Sequence, residues 1–157
     1  MTLRELTLAE LRQLHETELR EAFPPEELKP YAAMEVLYQS GAYHPVGAWA
    51  GEDLLSYALL WESGRYVLID YLGVPAARRN GGLGSQMLQL LQERFRGWDG
   101  ILMESEAPDG GEADGLRRRR MDFYRRNGFQ FLDYDCVLFG VQYAVCLCSP
   151  NGMGTPQ

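Results

Sequence analysis

The stretch from Tyr66 to Gly84, YVLIDYLGVPAARRNGGLG, constrains the fold of this chain more than any other. Its first part, through Val74, is an apolar run of β-branched and aromatic residues with the length of a buried strand. Pro75 ends that strand because it has no N–H group to donate. Beyond the glycines, apolar residues recur at the spacing of one helix face: Leu83, Met87, Leu90, Leu91 and Phe95. The stretch therefore predicts a strand, a glycine-rich turn and a helix.

The turn has the physical properties of an anion-binding site. The first four N–H groups of a helix have no partner within the helix, and the helix dipole adds partial positive charge there. Glycines remove the Cβ atoms that would keep a ligand from the backbone, and Arg78 and Arg79 add full charges. These features favour a phosphate or pyrophosphate; a glycine-rich turn without a ligand is the alternative.

Two common phosphate-binding patterns do not fit these residues. The P-loop requires a Lys and a Ser or Thr after its last glycine, whereas Ser85 and Gln86 follow Gly84. The Rossmann pattern, started at Gly82, requires a third glycine where Met87 stands. The pattern that does fit is R-x-x-G-x-G, from Arg79 to Gly84, directly after a predicted strand.

This pattern resembles the cofactor motif of the GNAT superfamily, the acetyl-CoA-dependent N-acetyltransferases. A second segment, FYRRNGF from Phe123 to Phe129, resembles the family's F-Y-x-x-x-G-F pattern. The two segments occur in the family's order, with room for one strand and one helix between them. The resemblance covers about Leu54 to Phe131 and implies acetyl-CoA as the acyl donor, with no metal.

The order of predicted elements is β-α-α-β-β-β-α-β-α-β-β, within a length typical of one domain. We predict an α/β (α+β) domain over residues 1–148, with a mixed, mostly antiparallel sheet of about six to seven strands flanked by helices. The strands on either side of the cofactor helix should be parallel, because a crossover helix joins them. The resemblance implies that these two strands splay apart and that the pantetheine arm fills the gap. Residues 149–157 are expected to form a flexible tail.

The resemblance also implies which residues bind the cofactor. Backbone groups of Leu72, Gly73 and Val74 are implied to contact the pantetheine and the acetyl carbonyl. The backbone amides implied to contact the pyrophosphate are those of the R-x-x-G-x-G segment: Arg79, Asn80, Gly81, Gly82, Leu83 and Gly84. Tyr124, in the second segment, is implied to be the general acid beside the cofactor sulfur; a packing role near a helix end is the alternative.

The general base has to be sought among the carboxylates, because an ammonium group must lose a proton before it can attack. Glu104 and Glu106 alternate on one face of a predicted strand, and a carboxylate in an apolar strand requires water, a hydrogen bond or a cation. We predict Glu104 as the base, and Glu104, Glu106 and Asp70 as the groups that bind a cationic amine. Asp70 and Glu62 are rival bases, and carboxylates exposed at strand ends are the alternative for each.

Two further groups of residues have alternative interpretations. Phe23, Tyr31 and Tyr38 lie in the region that shapes the acceptor side in the resembled family, so they line a substrate cleft or belong to the core. The basic run from Arg117 to Arg120 covers all sides of a predicted helix. It is interpreted as a solvated surface, with a contact to cofactor phosphates as the alternative.

The composition of the chain limits the classes of binding partner and the cellular compartment that we expect. A net charge of −7 argues against nucleic-acid binding and suits a cationic partner. The three cysteines, Cys136, Cys146 and Cys148, are odd in number and no signal peptide is evident, which predicts reduced, packed thiols in the cytoplasm. No apolar run approaches the roughly 20 residues of a membrane span.

These inferences predict an enzyme that transfers an acetyl group from acetyl-CoA to a primary amine, directly and in a ternary complex. The acceptor is expected to be a small molecule or a peptide, and the protein a monomer or homodimer. A CoA-binding module without catalysis, serving as a sensor or partner domain, is one alternative, and an acyltransferase using a longer acyl-CoA is another. The residues do not choose among polyamine, antibiotic, amino acid and protein N-terminus as the acceptor.

Overall fold

A computed structural model describes residues 1–138 and 141–149 of the chain. Its strands are β1 (Thr2–Glu5), β2 (Tyr43–Ala50), β3 (Asp53–Ser63), β4 (Tyr66–Gly73), β5 (Gly100–Glu106), β6 (Gln130–Leu138) and β7 (Val141–Cys148). Its α-helices are α1 (Leu8–Leu14), α2 (Arg20–Ala22), α3 (Tyr31–Ser40), α4 (Leu83–Arg94) and α5 (Asp114–Arg126). A π-helical turn over His15–Leu19 joins α1 to α2, and a 3₁₀ turn over Ala76–Arg78 precedes α4.

The described strands form one seven-stranded sheet in the order β1-β2-β3-β4-β5-β7-β6. Only β4 and β5 are parallel neighbours; the other pairs are antiparallel. The predicted element order, the mixed and mostly antiparallel sheet and the parallel pair around α4 are confirmed. Of the predicted tail, residues 150–157 lie outside the described part of the chain.

The sheet separates two apolar cores. One lies on the side of α4 and contains Ile69, Met87 and Leu91. The other lies on the side of α1 and α3 and contains Leu11 and Met34. No helix in the described ranges is long and apolar enough to cross a membrane.

A β-bulge in β4 changes which core its side chains enter. Leu59 of β3 lies opposite Tyr71, whereas Leu60 lies opposite Ile69, so Asp70 is an extra residue in β4. Ile69 packs in the core beside α4, but Tyr71 packs in the opposite core. Bulges of this kind are frequent next to active sites, because they re-aim side chains. Here the bulge turns Tyr71 towards the side of α1 and α3.

The parallel pairing of β4 with β5 stops just before this bulge. It covers four residue pairs and ends with Ile69 opposite Met103. Beyond that point β4 runs on to Gly73 against β3, and β5 runs on to Glu106 against β7. The two strands therefore splay apart, as predicted, and leave a gap between residues 70–73 and 104–106. We call this gap the splay.

Candidate functional site

The turn before α4 presents free backbone N–H groups. Gly82 is the N-cap of α4 in a left-handed conformation, with φ of 76°, and the preceding Asn80 also has a positive φ of 69°. The first α4 hydrogen bond runs from the Gln86 N–H to the Gly82 carbonyl, at 3.2 Å. The N–H groups from Gly82 to Ser85 have no hydrogen-bond partner within residues 1–138 and 141–149. This end of α4 is therefore open to an anion.

The side chain of Arg79 is occupied within the protein. Its guanidinium makes two hydrogen bonds to the Glu21 carboxylate, at 3.2 and 2.6 Å, and one from Nε to the Val74 carbonyl, at 3.1 Å. Glu18 accepts a further hydrogen bond from the Ala76 N–H, at 3.3 Å. These contacts tie the turn to α2 and to the π-helical turn, which leaves the backbone as the part of the motif that is available to a ligand.

Two glycines of the motif lack a side chain for different structural reasons. A Cβ placed on Gly82 would meet no atom within 4 Å, so the space beside this residue is open. A Cβ placed on Gly84 would lie 3.1 Å from Cζ of Phe123 on α5, which is closer than ordinary packing. The Gly84 contact brings the R-x-x-G-x-G segment against the F-Y-x-x-x-G-F segment.

Tyr124 is half-buried on the same helix as Phe123. Its ring makes edge contacts with Phe123, at 5.3 Å between centroids, and with Phe129, at 6.2 Å. Burial raises the pKa of Tyr124 to about 12, with a smaller raising effect from Cys146 and a lowering effect from Arg120. The phenol is thus protonated at neutral pH and has the state that a proton donor requires.

The predicted acceptor-side carboxylates lie on the strands that border the splay. Oδ2 of Asp70 accepts hydrogen bonds from Lys29 Nζ and from the Tyr43 hydroxyl, both at 2.7 Å. Glu104 is exposed, and its side chain makes no hydrogen bond or ion pair with any described residue. Glu106, at the end of β5, is half-buried. The three residues therefore differ: Asp70 is neutralised, Glu104 is free and Glu106 is held by other groups.

Glu27, which the sequence analysis missed, lies near Glu106. The two carboxyl groups interact with each other, and the Tyr143 hydroxyl donates to Glu27 Oε1 at 3.4 Å. Burial, followed by the contact with Glu106, raises the pKa of Glu27 to about 7. The pKa of Glu106 is lowered, and the largest cause is its interaction with Glu27. Burial opposes this lowering with a smaller effect, and the hydrogen bond from Arg117 lowers the pKa further.

Glu27 belongs to a segment, Pro24–Pro30, that we call the crossing segment because it contacts both sides of the splay. The Tyr71 hydroxyl donates to the Glu27 carbonyl at 2.7 Å and accepts from the Lys29 N–H at 3.0 Å. Nε2 of His15 lies 2.8 Å from the Lys29 carbonyl. A shallow cavity of about 310 Å³ is lined in part by Phe23 and by residues of the crossing segment.

The structure distinguishes between the alternative interpretations of the aromatic residues and of the basic run. Tyr31 and Tyr38 pack against the core beside α1, and Phe23 does so while also lining the cavity. The solvated-surface interpretation is wrong for Arg117, whose side chain is only 16% exposed and is bonded to three carboxylates, those of Glu106, Asp109 and Asp114.

Other candidates lie away from the splay or have no partner there. Glu62, a rival base, bonds to Nε2 of His44 at 2.6 Å, near the β3–β4 turn. Cys146 and Cys148 are free and buried, whereas the side chain of Cys136 lies outside the described structure. No group of three or more His, Cys, Asp or Glu side chains in the described ranges could hold a metal ion.

Comparison with known proteins identifies the family. Residues 8–129 match the family described as the acetyltransferase (GNAT) family. The chain belongs to the GNAT family. A Bacillus subtilis (strain 168) protein named "Putative acetyltransferase YjbC" is 32% identical over 114 residues, which cover 71% of this chain and 54% of that protein. The chain thus spans about half the length of this relative.

Solved GNAT structures share the whole fold. A GNAT-family structure from Bacteroides thetaiotaomicron is 23% identical and superposes with a TM-score of 0.79, over 95% of this chain and 87% of that one. An aminoglycoside 6'-N-acetyltransferase complexed with coenzyme A is 18% identical, with a TM-score of 0.73 over 96% and 97% of the two chains. At these identities the likeness shows the fold alone.

The residues of this GNAT chain fit coenzyme A on their own geometry. The free N–H groups at the start of α4 suit its pyrophosphate, and the open space beside Gly82 leaves room for it. The splay leaves strand residues without a β-partner on one side, where an extended amide-containing arm can pair. Ser105 of β5, just past the end of the pairing, also has a buried hydroxyl without a partner among the described residues.

Proposed function

We propose that this chain is an N-acetyltransferase that uses acetyl-CoA and a primary amine in a ternary complex. The observation that supports it best is that two features lie next to each other: the gap where β4 separates from β5, and the open N-terminus of α4, the helix that follows β4. A pyrophosphate at α4 and a pantetheine arm in the splay are two parts of one molecule, and the turn from Pro75 to Gly82 connects their sites.

The donor side is made mainly of backbone. We assign the pyrophosphate to the amides of Arg79, Asn80, Gly81, Gly82, Leu83 and Gly84. The backbone of Leu72, Gly73 and Val74 is assigned to the pantetheine and to the carbonyl oxygen, where N–H donors stabilise developing negative charge. Bound acetyl-CoA supplies an activated acyl group with a thiolate leaving group. The protein holds this group beside the amine, which reduces the entropic part of the barrier.

Tyr124 is assigned as the proton donor to the departing sulfur. Its phenol is protonated at neutral pH because burial raises its pKa to about 12. The rings of Phe123 and Phe129 restrict its position through edge contacts. An acid with a high pKa assists a thiolate without being indispensable, because the thiolate is already a moderately good leaving group.

The acceptor is assigned as a cationic amine bound on the acidic side of the splay. Glu106 and the exposed Glu104 provide negative charge there, in a chain of net charge −7. Asp70 already has a cation, Lys29 Nζ at 2.7 Å. We therefore assign Asp70 the role of fixing the crossing segment, through Lys29, at the edge of the acceptor site.

A two-step experiment tests this function. The melting temperature is first measured with acetyl-CoA, butyryl-CoA and free coenzyme A; a ligand at about 100 times its dissociation constant adds about 2.7 kcal/mol of stability. Release of thiol is then followed with propylamine, 1,4-diaminobutane, an aminoglycoside and a peptide with a free N-terminus. We expect stabilisation and turnover with acetyl-CoA. Stabilisation without turnover of any amine would favour a non-catalytic CoA-binding module. Faster turnover with butyryl-CoA than with acetyl-CoA would favour an acyltransferase that uses a longer acyl-CoA.

A further inference from the structure

Two carboxyl groups from distant parts of the chain meet beside the splay. Glu106 ends β5, and Glu27 lies in the crossing segment. Both are next to Tyr143 of β7: Glu27 Oε1 accepts from its hydroxyl at 3.4 Å, and Glu106 is its partner in the β5–β7 pairing. The two carboxyl groups interact with each other, and because like charges repel, one of them keeps its proton to a higher pH than an isolated carboxyl group does.

The neighbours of the pair decide which residue has that proton. Arg117 Nε donates to Glu106 Oε2 at 3.1 Å, and Arg117 is itself fixed by Asp109 and Asp114, at 2.9 and 3.2 Å. Arg120 on α5 also acts on Glu106 electrostatically. Glu106 is thus held in its charged form.

The charges around Glu27 act in the opposite direction. Glu106 on β5 and the adjacent Glu26 are both acidic, and the Tyr143 hydroxyl on β7 is its one side-chain donor among the described residues. Glu27 has no ion pair within the described chain. The proton therefore belongs to Glu27, and it is held with the affinity of a group that titrates near neutral pH.

The backbone of Glu27 is fixed relative to the reaction site. Its carbonyl accepts from the Tyr71 hydroxyl at 2.7 Å, and Tyr71 follows the bulge and precedes Leu72, which we assigned to the donor side. Two residues later, Lys29 bonds to Asp70, the bulge residue. The crossing segment thus brings Glu27 to β4 and to β5 at the level where these strands separate.

We propose that Glu27, paired with Glu106, is the general base for the acceptor amine and that the pair binds the amine as its ammonium ion. This inference rests on the proposed N-acetyltransferase function. It differs from the prediction of Glu104 as the base, because Glu104 is exposed and no described group positions it. It also differs from the rival Asp70, whose carboxylate is paired with Lys29 and accepts a hydrogen bond from the Tyr43 hydroxyl.

Acetyl transfer at this pair begins with the loss of a proton. The pair first releases its shared proton to solvent, and the ammonium ion, R–NH₃⁺, takes the place of that proton between the two carboxylates. Glu27 then accepts one proton from the nitrogen and later passes it to solvent. The nitrogen forms the new C–N bond, the C–S bond breaks, and the second nitrogen proton goes to the sulfur, through Tyr124. The amide keeps the third hydrogen.

Direct titration tests the pair without any turnover. The side-chain carboxyl signals of ¹³C-labelled protein are followed by NMR as a function of pH, and Glu27 is assigned by the signal missing in Glu27→Gln. We expect this carboxyl to titrate near neutral pH and to shift to lower pH in Glu106→Gln, which removes the charge beside it. A titration of Glu27 near the ordinary value of about 4.3 in the wild type would overturn the shared proton and the proposal.

Kinetics then test the role of the base, with the best amine of the panel. In the wild type, kcat/KM should rise with pH through the neutral range. Glu27→Gln should lower kcat by about 10²- to 10⁴-fold and lose this rise, whereas Glu27→Asp should keep the rise at a reduced rate. Glu26→Gln is the matched control, since it removes the same charge from the exposed neighbour; it should keep the rise and a rate close to wild type, with the rise displaced slightly to lower pH because Glu26 has the smallest effect on the pKa of Glu27. The stabilisation by acetyl-CoA should be the same in all variants.

Two outcomes separate the failure of this inference from that of the proposed function. If Glu104→Gln, and not Glu27→Gln, loses the pH-dependent rise, Glu27 is not the base although the chain is still an acetyltransferase. If the wild type acetylates no amine, the proposed function fails and the base assignment fails with it. The NMR titration still decides in that case whether the pair shares a proton.

Discussion

The proposed donor side and the proposed acceptor side of the splay are built from different chemical groups. At the donor side, the turn before α4 offers backbone N–H groups from Gly82 to Ser85, and its one motif arginine, Arg79, is bonded to Glu21 and Val74. At the acceptor side, the crossing segment meets β4 and β5 through ionisable side chains, with Lys29 bonded to Asp70 and Glu27 beside Glu106.

This difference determines how each side responds to change. A site made of backbone groups has no charge to remove, so it is disturbed by filling its space or by adding charge. A site made of ionisable side chains responds to pH and to single neutral substitutions. We therefore expect the proposed donor site to be insensitive to pH near neutrality and the proposed acceptor site to depend on it.

The largest effect is expected from an added charge at the donor side. Gly82→Asp places a carboxylate where the pyrophosphate is assigned, and two like charges about 4 Å apart repel by about 4 kcal/mol at an effective dielectric constant of 20. Affinity for acetyl-CoA should fall by about 10³-fold, measured by calorimetry. The unliganded fold should persist, because a Cβ at Gly82 meets no atom within 4 Å and Asp is among the residues that adopt a positive φ most readily.

Gly82→Asn is the matched control for this prediction. Asparagine has nearly the same size and tolerates the same positive φ, but it adds no charge. It should retain most of the acetyl-CoA affinity. Equal losses in both variants would show that shape, rather than charge, governs this position, and no loss in either would contradict the pyrophosphate site.

A smaller effect is expected at Tyr124, between the two sides. Tyr124→Phe deletes the hydroxyl and keeps the ring that contacts Phe123 and Phe129. We expect kcat to fall by about 100-fold, at the low end for general acid catalysis, with kcat/KM falling in parallel. Acetyl-CoA affinity and the melting temperature should barely change. Wild-type kcat at saturating amine would assign Tyr124 to packing alone.

The two sides also differed in how far the sequence could predict them. The turn before α4 is contiguous in the chain, so glycine spacing after a strand was enough to predict the strand, the turn and the helix. The Glu27–Glu106 pair joins residues that are distant in the chain, and no local pattern connects them. Lys29, the only lysine of the chain, was a signal that could have drawn attention to the crossing segment.

Two further features, one in β4 and one in α5, could not be predicted from the sequence either. Tyr66 to Gly73 has the composition of an uninterrupted strand, and only the register with β3 shows that Asp70 is an extra residue. Arg117 is the first of four consecutive arginines, so it cannot be told from its solvated neighbours until three carboxylates are seen around it. Local propensity predicted the elements, whereas tertiary contacts decide these roles.

At the acceptor side, the ion pair of Lys29 with Asp70 should contribute to stability. The side chains are only 33% and 18% exposed, so Lys29→Met leaves a half-buried carboxylate without its cation, at a cost of about 1–3 kcal/mol. Urea denaturation measures this loss. The double variant Lys29→Met with Asp70→Asn should recover part of it, because the unpaired charge is gone. Additive losses would contradict a coupling between the two residues.

The last prediction concerns the pH dependence of stability, and it depends mainly on Glu27. The pKa of Glu27 is raised from 4.5 to about 7 in the native state, so the native state holds this proton more tightly than the unfolded chain. Its contribution to the free energy of unfolding is therefore complete below pH 4.5 and is lost as pH rises through about 7. Glu106, whose pKa is lowered, acts in the opposite direction, with its contribution lost as pH falls below 4.5. Between pH 4.5 and 7, the decrease in the free energy of unfolding should disappear in Glu27→Gln and persist in Glu26→Gln. A wild type whose free energy of unfolding does not decrease over this range would contradict the raised pKa.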